Sequence, residues 1–143
     1  MIAVSVQVSN QQNQHEIALT TNSNTHVIDI PPRASGYGSS ANGGELLFLA
    51  LATCYCNDVY REAGKRNITV KRVEVEVSGT FGDAPGSVAE NISYRALVEA
   101  DAPKADIEAL MRHTDTVAEI HNTLRLGTPV TLTDIRAISV MAE

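Results

Sequence analysis

Tryptophan is absent, and the aromatics amount to four tyrosines and two phenylalanines. The core of this 143-residue chain must therefore come mostly from Val, Ile, Leu and Ala. Clustered basic residues are missing too. Lys65-Arg66 and Lys71-Arg72 are isolated pairs in a chain of net charge -6, which excludes the basic face that nucleic-acid phosphates require. No stretch approaches the roughly 20 consecutive apolar residues that span a bilayer, so no membrane partner is expected. The opening Met1-Ile2-Ala3-Val4-Ser5-Val6 lacks the positive start and long apolar run of an export signal, and a cytoplasmic location follows as the expectation. In a reducing compartment two cysteines read as free thiols or redox groups and not as a disulfide staple. Two cysteines and four scattered histidines show no tight metal-ligand spacing, so no metal and no cofactor are expected.

The composition, 43% hydrophobic and 20% charged, is that of a globular domain, and the length fits one domain over 1–143. Ala3 to Val8, Glu16 to Leu19 and Val27 to Ile30 alternate apolar and polar, as half-buried strands do. Polar clusters at Asn10–Asn13 and Thr21–Asn24 mark turns, and Pro31-Pro32 stops the third strand. Arg33 to Gly44, with four glycines, reads as a long flexible loop. From Glu45 to about Arg66 the pattern is helical, and Leu46 to Ala52 is wholly apolar, which predicts a helix buried on all sides. Asn42 and Glu45 form a capping-box start, and growing polarity from Asn57 predicts emergence into solvent at the far end. Val70 to Val77 and Ile92 to Val98 flank a Gly82–Gly86 turn as a strand pair. A helix opens at Ala102-Pro103, a shorter one follows Thr114-Asp115-Thr116, and Gly127-Thr128-Pro129 ends it. Val130–Leu132 and Ile135–Val140 are expected as closing strands. The order defines an α+β fold, with antiparallel sheets around one central helix.

Cys54 lies mid-helix and is the candidate reactive centre, although a buried helical cysteine is also an ordinary small apolar core residue. Cys56 sits about 200° further around the helix, so the two thiols cannot pair without unwinding it. Cys56 reads as core or interface packing. His121 is a candidate to stabilise a thiolate or act as a base, the alternative being a surface histidine near a helix end. Arg33 is either a cation for the thiol or a solvated loop arginine. Glu45 is accounted for as a cap. Arg125 lies either near a dimer pocket or in an ordinary ion pair.

The run Gly43-Gly44-Glu45-Leu46-Leu47-Phe48-Leu49-Ala50-Leu51-Ala52-Thr53-Cys54 resembles the cysteine-bearing helix of the OsmC/Ohr family. Gly64 to Val77 is similar to the passage from that helix into a hairpin, and Asn122-Thr123-Leu124-Arg125-Leu126-Gly127-Thr128-Pro129-Val130 resembles the segment after the family's second cysteine. The resemblance implies an intertwined homodimer with thiol sites at the subunit interface, where hydroperoxides are reduced at the expense of dithiols. It puts Cys54 at the attacking position, Ala118 where a resolving cysteine would stand, and Gly44 where a glutamate would orient an arginine that has no counterpart here. Two functions follow as expectations. One is hydroperoxide reduction or redox-stress chemistry through Cys54 alone, with an external thiol as reductant. The other is a non-catalytic homodimer that binds a small hydrophobic ligand.

Overall fold

A computed structural model describes residues 1–140, which gather into two compact units. The first holds Met1–Ala50 with Val77–Ser93, and the second holds Leu51–Glu76 with the chain from Tyr94 onward. The elements follow in the order three strands, one long helix, two long strands and two helices, an α+β arrangement.

In the first unit β1 (Val4–Gln11), β2 (Gln14–Thr21) and β3 (Asn24–Ile28) make an antiparallel sheet in that order. Pairing extends past the apolar alternation into polar residues, with Gln11 opposite Gln14 and Thr21 opposite Asn24. Two-residue turns remain, and Asn13 and Asn22 adopt φ of 61° and 54°, left-handed values that asparagine tolerates. Val8, Ile17 and Ile28 form one cross-strand row, with Ile17 buried and Val4, Val6 and Val8 exposed. The glycine-rich segment after β3 is not the loose loop its composition suggests. Pro32 bridges Ser39, the Ser40 N–H donates to the Pro31 carbonyl at 2.9 Å, and Asn10 bonds both the N–H and the carbonyl of Gly38 at 3.0 and 3.2 Å.

Helix α1 (Gly43–Lys65) starts with the expected reciprocal cap. Asn42 Oδ1 accepts from the Glu45 N–H at 2.8 Å, and Glu45 Oε1 accepts from the Asn42 N–H at 2.9 Å. Its burial is the reverse of the expectation. Leu46, Leu47 and Phe48 are only half-buried and Leu49 is 56% exposed, while Leu51, Tyr55, Asp58, Val59, Glu62 and Ala63 are buried. Charge is tolerated there because it is neutralised in place. Glu62 accepts from Arg61 at 2.9 Å, Lys65 at 3.0 Å and His113 at 2.8 Å.

The second unit has its core where Tyr55, Val59 and Ala63 of α1 meet Leu110 of α2 (Lys104–Val117). Half-buried residues of β4 (Thr69–Phe81) and β5 (Ala89–Asp101), Val73, Val75 and Tyr94 among them, pack against this cluster. Along β4 they alternate with exposed Glu74 and Glu76, the latter bonded by Arg95 at 3.0 Å. Helix α2 continues through Thr114-Asp115-Thr116, where the sequence suggests a stop. The Thr114 hydroxyl donates to the Leu110 carbonyl at 2.7 Å and so stays satisfied inside the helix. Helix α3 (Glu119–Leu126) ends at Gly127, whose φ of 64° fits the left-handed cap that glycine favours. The closing strands expected at Val130–Leu132 and Ile135–Val140 do not form. Residues 128–140 carry no strand, and Val130, Leu132, Ile135, Ile138 and Val140 lie exposed. No helix among the described residues is long and apolar enough to cross a membrane.

Candidate functional site

Cys54 is half-buried at the middle of α1, and two residues on the same face of that helix build its surroundings. Asp58 and Arg61 follow at four and seven residues, spacings that stack side chains along one stripe. Asp58 Oδ2 lies 3.5 Å from Cys54 Sγ. The start of α3 completes the site. Glu119 Oε2 lies 3.8 Å from the same sulfur, and the backbone N–H of Ile120 is directed at it.

Arg61 ties the two carboxylates together. Its Nη1 lies 3.1 Å from Asp58 Oδ1 and 3.0 Å from Glu119 Oε1, so the opposite oxygen of each is left turned to the thiol. Burial pushes the Cys54 thiol up from its ordinary range; the Ile120 N–H opposes this, and the Asp58 and Glu119 charges add to it. Burial and the neighbouring Glu119 raise the Asp58 carboxyl, with Arg61 opposing. Glu119 is lowered, first by its own backbone N–H and then by Asp58 and Arg61, so of the two acids Asp58 is the easier to protonate. Burial first, and the two acids after it, thus favour the protonated thiol, although it lies at the positive end of a helix.

The donor atoms of Cys54, Asp58 and Glu119 all lie within 4.8 Å of one another, a spacing that a metal ion can bridge. Arg61 already holds one oxygen of each carboxylate at 3.0–3.1 Å, so a metal ion there would share both acids with a guanidinium.

The other sequence candidates lie elsewhere. His121 is 4% exposed, which rules out the surface-histidine reading. Its ring packs edge-on to Tyr94 at 4.8 Å and near Tyr55 at 6.2 Å, and neither nitrogen has a hydrogen-bond partner among the described residues. Burial and the Arg125 charge lower its pKa, with Asp115 opposing. Arg125 is in an ion pair with Asp115 at 2.8 Å. Arg33, in the first unit, is exposed and donates to the Ser39 carbonyl at 3.1 Å within its own loop. Cys56 lines a shallow 260 Å³ groove with Ala52, Thr53, Asn57, Val73 and Val75, away from the acidic cluster. Glu45 is a cap. Ala118 is fully buried at the junction of α2 and α3. At Gly44 an added Cβ would come within 2.9 Å of the Phe81 ring, so the ring fills the space a side chain would need. Asp58, Arg61 and Glu119 were not singled out from sequence. The spacing 54, 58, 61 was the legible signal for the first two, whereas Glu119 meets Cys54 only through the fold.

These features define an α+β protein with one acid-flanked, half-buried thiol. Residues 36–133 match the OsmC-like protein family, and the chain belongs to it. Among curated protein sequences the chain has no match. Its fold is similar to that of a hypothetical protein from Aquifex aeolicus, at 16% identity over 88% of this chain and 89% of that one, with a TM-score of 0.63. An OsmC-like protein from Mycoplasma pneumoniae is similar at 17% identity over 85% and 87%, with a TM-score of 0.58. An organic hydroperoxide resistance protein from Elizabethkingia anophelis is similar at 13% identity over 86% and 88%, with a TM-score of 0.55.

Proposed function

We propose that this OsmC-like chain reduces organic hydroperoxides through Cys54 alone, as a cytoplasmic homodimer whose two units per chain work as a single domain. The observation that carries the reading is the half-buried Cys54 sulfur at the first turn of α3, where Glu119 Oε2 lies 3.8 Å from it and the Ile120 N–H favours its anion. A backbone N–H at a helix start stabilises negative charge developing on sulfur. The sulfur attacks the distal peroxide oxygen, giving Cys54 sulfenic acid and the alcohol. No cysteine stands at Ala118 to capture the sulfenic acid. An external thiol therefore condenses with it to a mixed disulfide and water, and a second thiol releases Cys54 and a small disulfide. Exposed Leu49, Val6 and Val130 support a second copy as cover for apolar surface.

The test is hydroperoxide consumption with a dithiol reductant, comparing wild type with Cys54→Ser and Cys56→Ser. The expected result is loss of turnover only in Cys54→Ser, with a wild-type rate that climbs as pH rises toward the raised thiol pKa. A Cys54 that oxidises no faster than a free model thiol at any pH defeats the reading. The raised thiol pKa favours a second function, a non-catalytic homodimer that holds a small hydrophobic ligand. Ligand-induced thermal stabilisation that persists in Cys54→Ser, without peroxide turnover, distinguishes it.

A further inference from the structure

The carboxylates around Cys54 have no role in the mechanism above, and they approach the sulfur from two different elements. Asp58 Oδ2 on α1 lies at 3.5 Å and Glu119 Oε2 on α3 at 3.8 Å. Their outer oxygens are both fixed by Arg61, at 3.1 and 3.0 Å. Arg61 is itself anchored to Glu62, which also accepts from Lys65 and from His113 of α2. The inner oxygens are thereby both left facing Cys54 Sγ.

We propose that Asp58 and Glu119 are the proton-transfer pair of the Cys54 reaction, with Arg61 as the positioning residue that sets both. This deepens the hydroperoxide reading and rests on it. A protonated thiol cannot attack a peroxide without losing its proton, and an alkoxide is a poor leaving group unless it gains one. The pair meets both needs. Glu119, ionised, accepts the thiol proton as the S–O bond forms. Asp58, the buried member of the pair and the easier to protonate, enters with a proton and donates it to the departing alkoxide as the O–O bond breaks. The peroxide's own hydrogen stays on the oxygen transferred to sulfur. Sulfur loses two electrons, the peroxide bond gains two, and the pair ends with one proton, as it began.

The test compares two oxidants that differ in leaving group. tert-Butyl hydroperoxide expels an alkoxide and needs a general acid, whereas peracetic acid expels a carboxylate and does not. Cys54 oxidation is followed by stopped flow in wild type, Glu119→Gln, Asp58→Asn and Arg61→Gln, with folding checked by circular dichroism. The Glu119 side chain is largely exposed, so Glu119→Gln keeps the measurement valid if Asp58→Asn unfolds. Glu119→Gln is expected to slow both oxidants, because it removes the base. Asp58→Asn is expected to slow tert-butyl hydroperoxide by about 100- to 10,000-fold, the usual reach of acid–base catalysis, and to leave peracetic acid within a few-fold of wild type. Arg61→Gln is expected to fall between them and to shift the pH profile. Unchanged rates in Glu119→Gln, or equal losses on both oxidants in Asp58→Asn, overturn the proposal while wild-type reactivity stands. A wild type no faster than free cysteine on either oxidant overturns the hydroperoxide reading itself.

Discussion

The two halves of α1 differ in a way that composition alone reverses. The first half is leucine-rich and lies half-buried or exposed, whereas the second carries Asp58 and Glu62 and is where burial concentrates. Apolar residues are buried only when something covers them. Charged residues are tolerated inside when partners lie within hydrogen-bond reach, as Arg61, Lys65 and His113 do around Glu62. The uncovered half is reserved, on this reading, for a second copy, and the covered half for chemistry.

The strongest attack on that contrast is Leu49→Asp. Sedimentation is expected to show a dimer for wild type and monomer or aggregate for the variant, and an unchanged wild-type monomer would leave the apolar half unexplained. Leu110→Ala attacks the other half, since Leu110 is fully buried against Tyr55, Val59 and Ala63. It is expected to cost about 2–5 kcal/mol in urea unfolding.

A smaller effect, confined to acid, comes from Glu62. Arg61 first, then Lys65 and His113, lower its carboxyl from 4.5 to about 2. Between those values the unfolded chain binds a proton that the folded one does not. The Glu62 contribution is therefore complete above about pH 4.5 and is lost as pH falls toward about 2. Glu62→Gln is expected to flatten that part of the stability curve, and an unaltered slope would mean the network carries little. The smallest effect has the opposite sign. His121→Phe keeps an aromatic ring against Tyr94 while removing two unpartnered buried nitrogens, and is expected to stabilise by about 1 kcal/mol. Because burial lowers the histidine pKa, wild type also loses stability as pH falls below the ordinary histidine range, and His121→Phe should not.

Much of the architecture was legible because it is local. Alternation marked the strands, Asn42 and Glu45 marked the start of α1, and Gly127 its counterpart at the end of α3. Boundaries were missed where pairing or side-chain bonding overrides pattern, as in the polar ends of β1 and β2 and at Thr114. The strand pattern in 130–140 is present in sequence, yet alternation marks only a capacity to pair, and 128–140 carries no strand. In the site, Cys54 was found because a thiol is conspicuous. Glu119 was missed because 65 residues separate it from Cys54, and only the return of α3 to α1 joins them.

The ring that occupies the space beside Gly44 also restricts how such a chain can change. A side chain at position 44 requires the Phe81 ring to turn aside, since its first carbon would come within 2.9 Å of that ring. Turning it disturbs its stack on Phe48, whose ring centre lies 5.9 Å away. A substitution at Gly44 is therefore felt in the aromatic pair that joins the start of α1 to the end of β4.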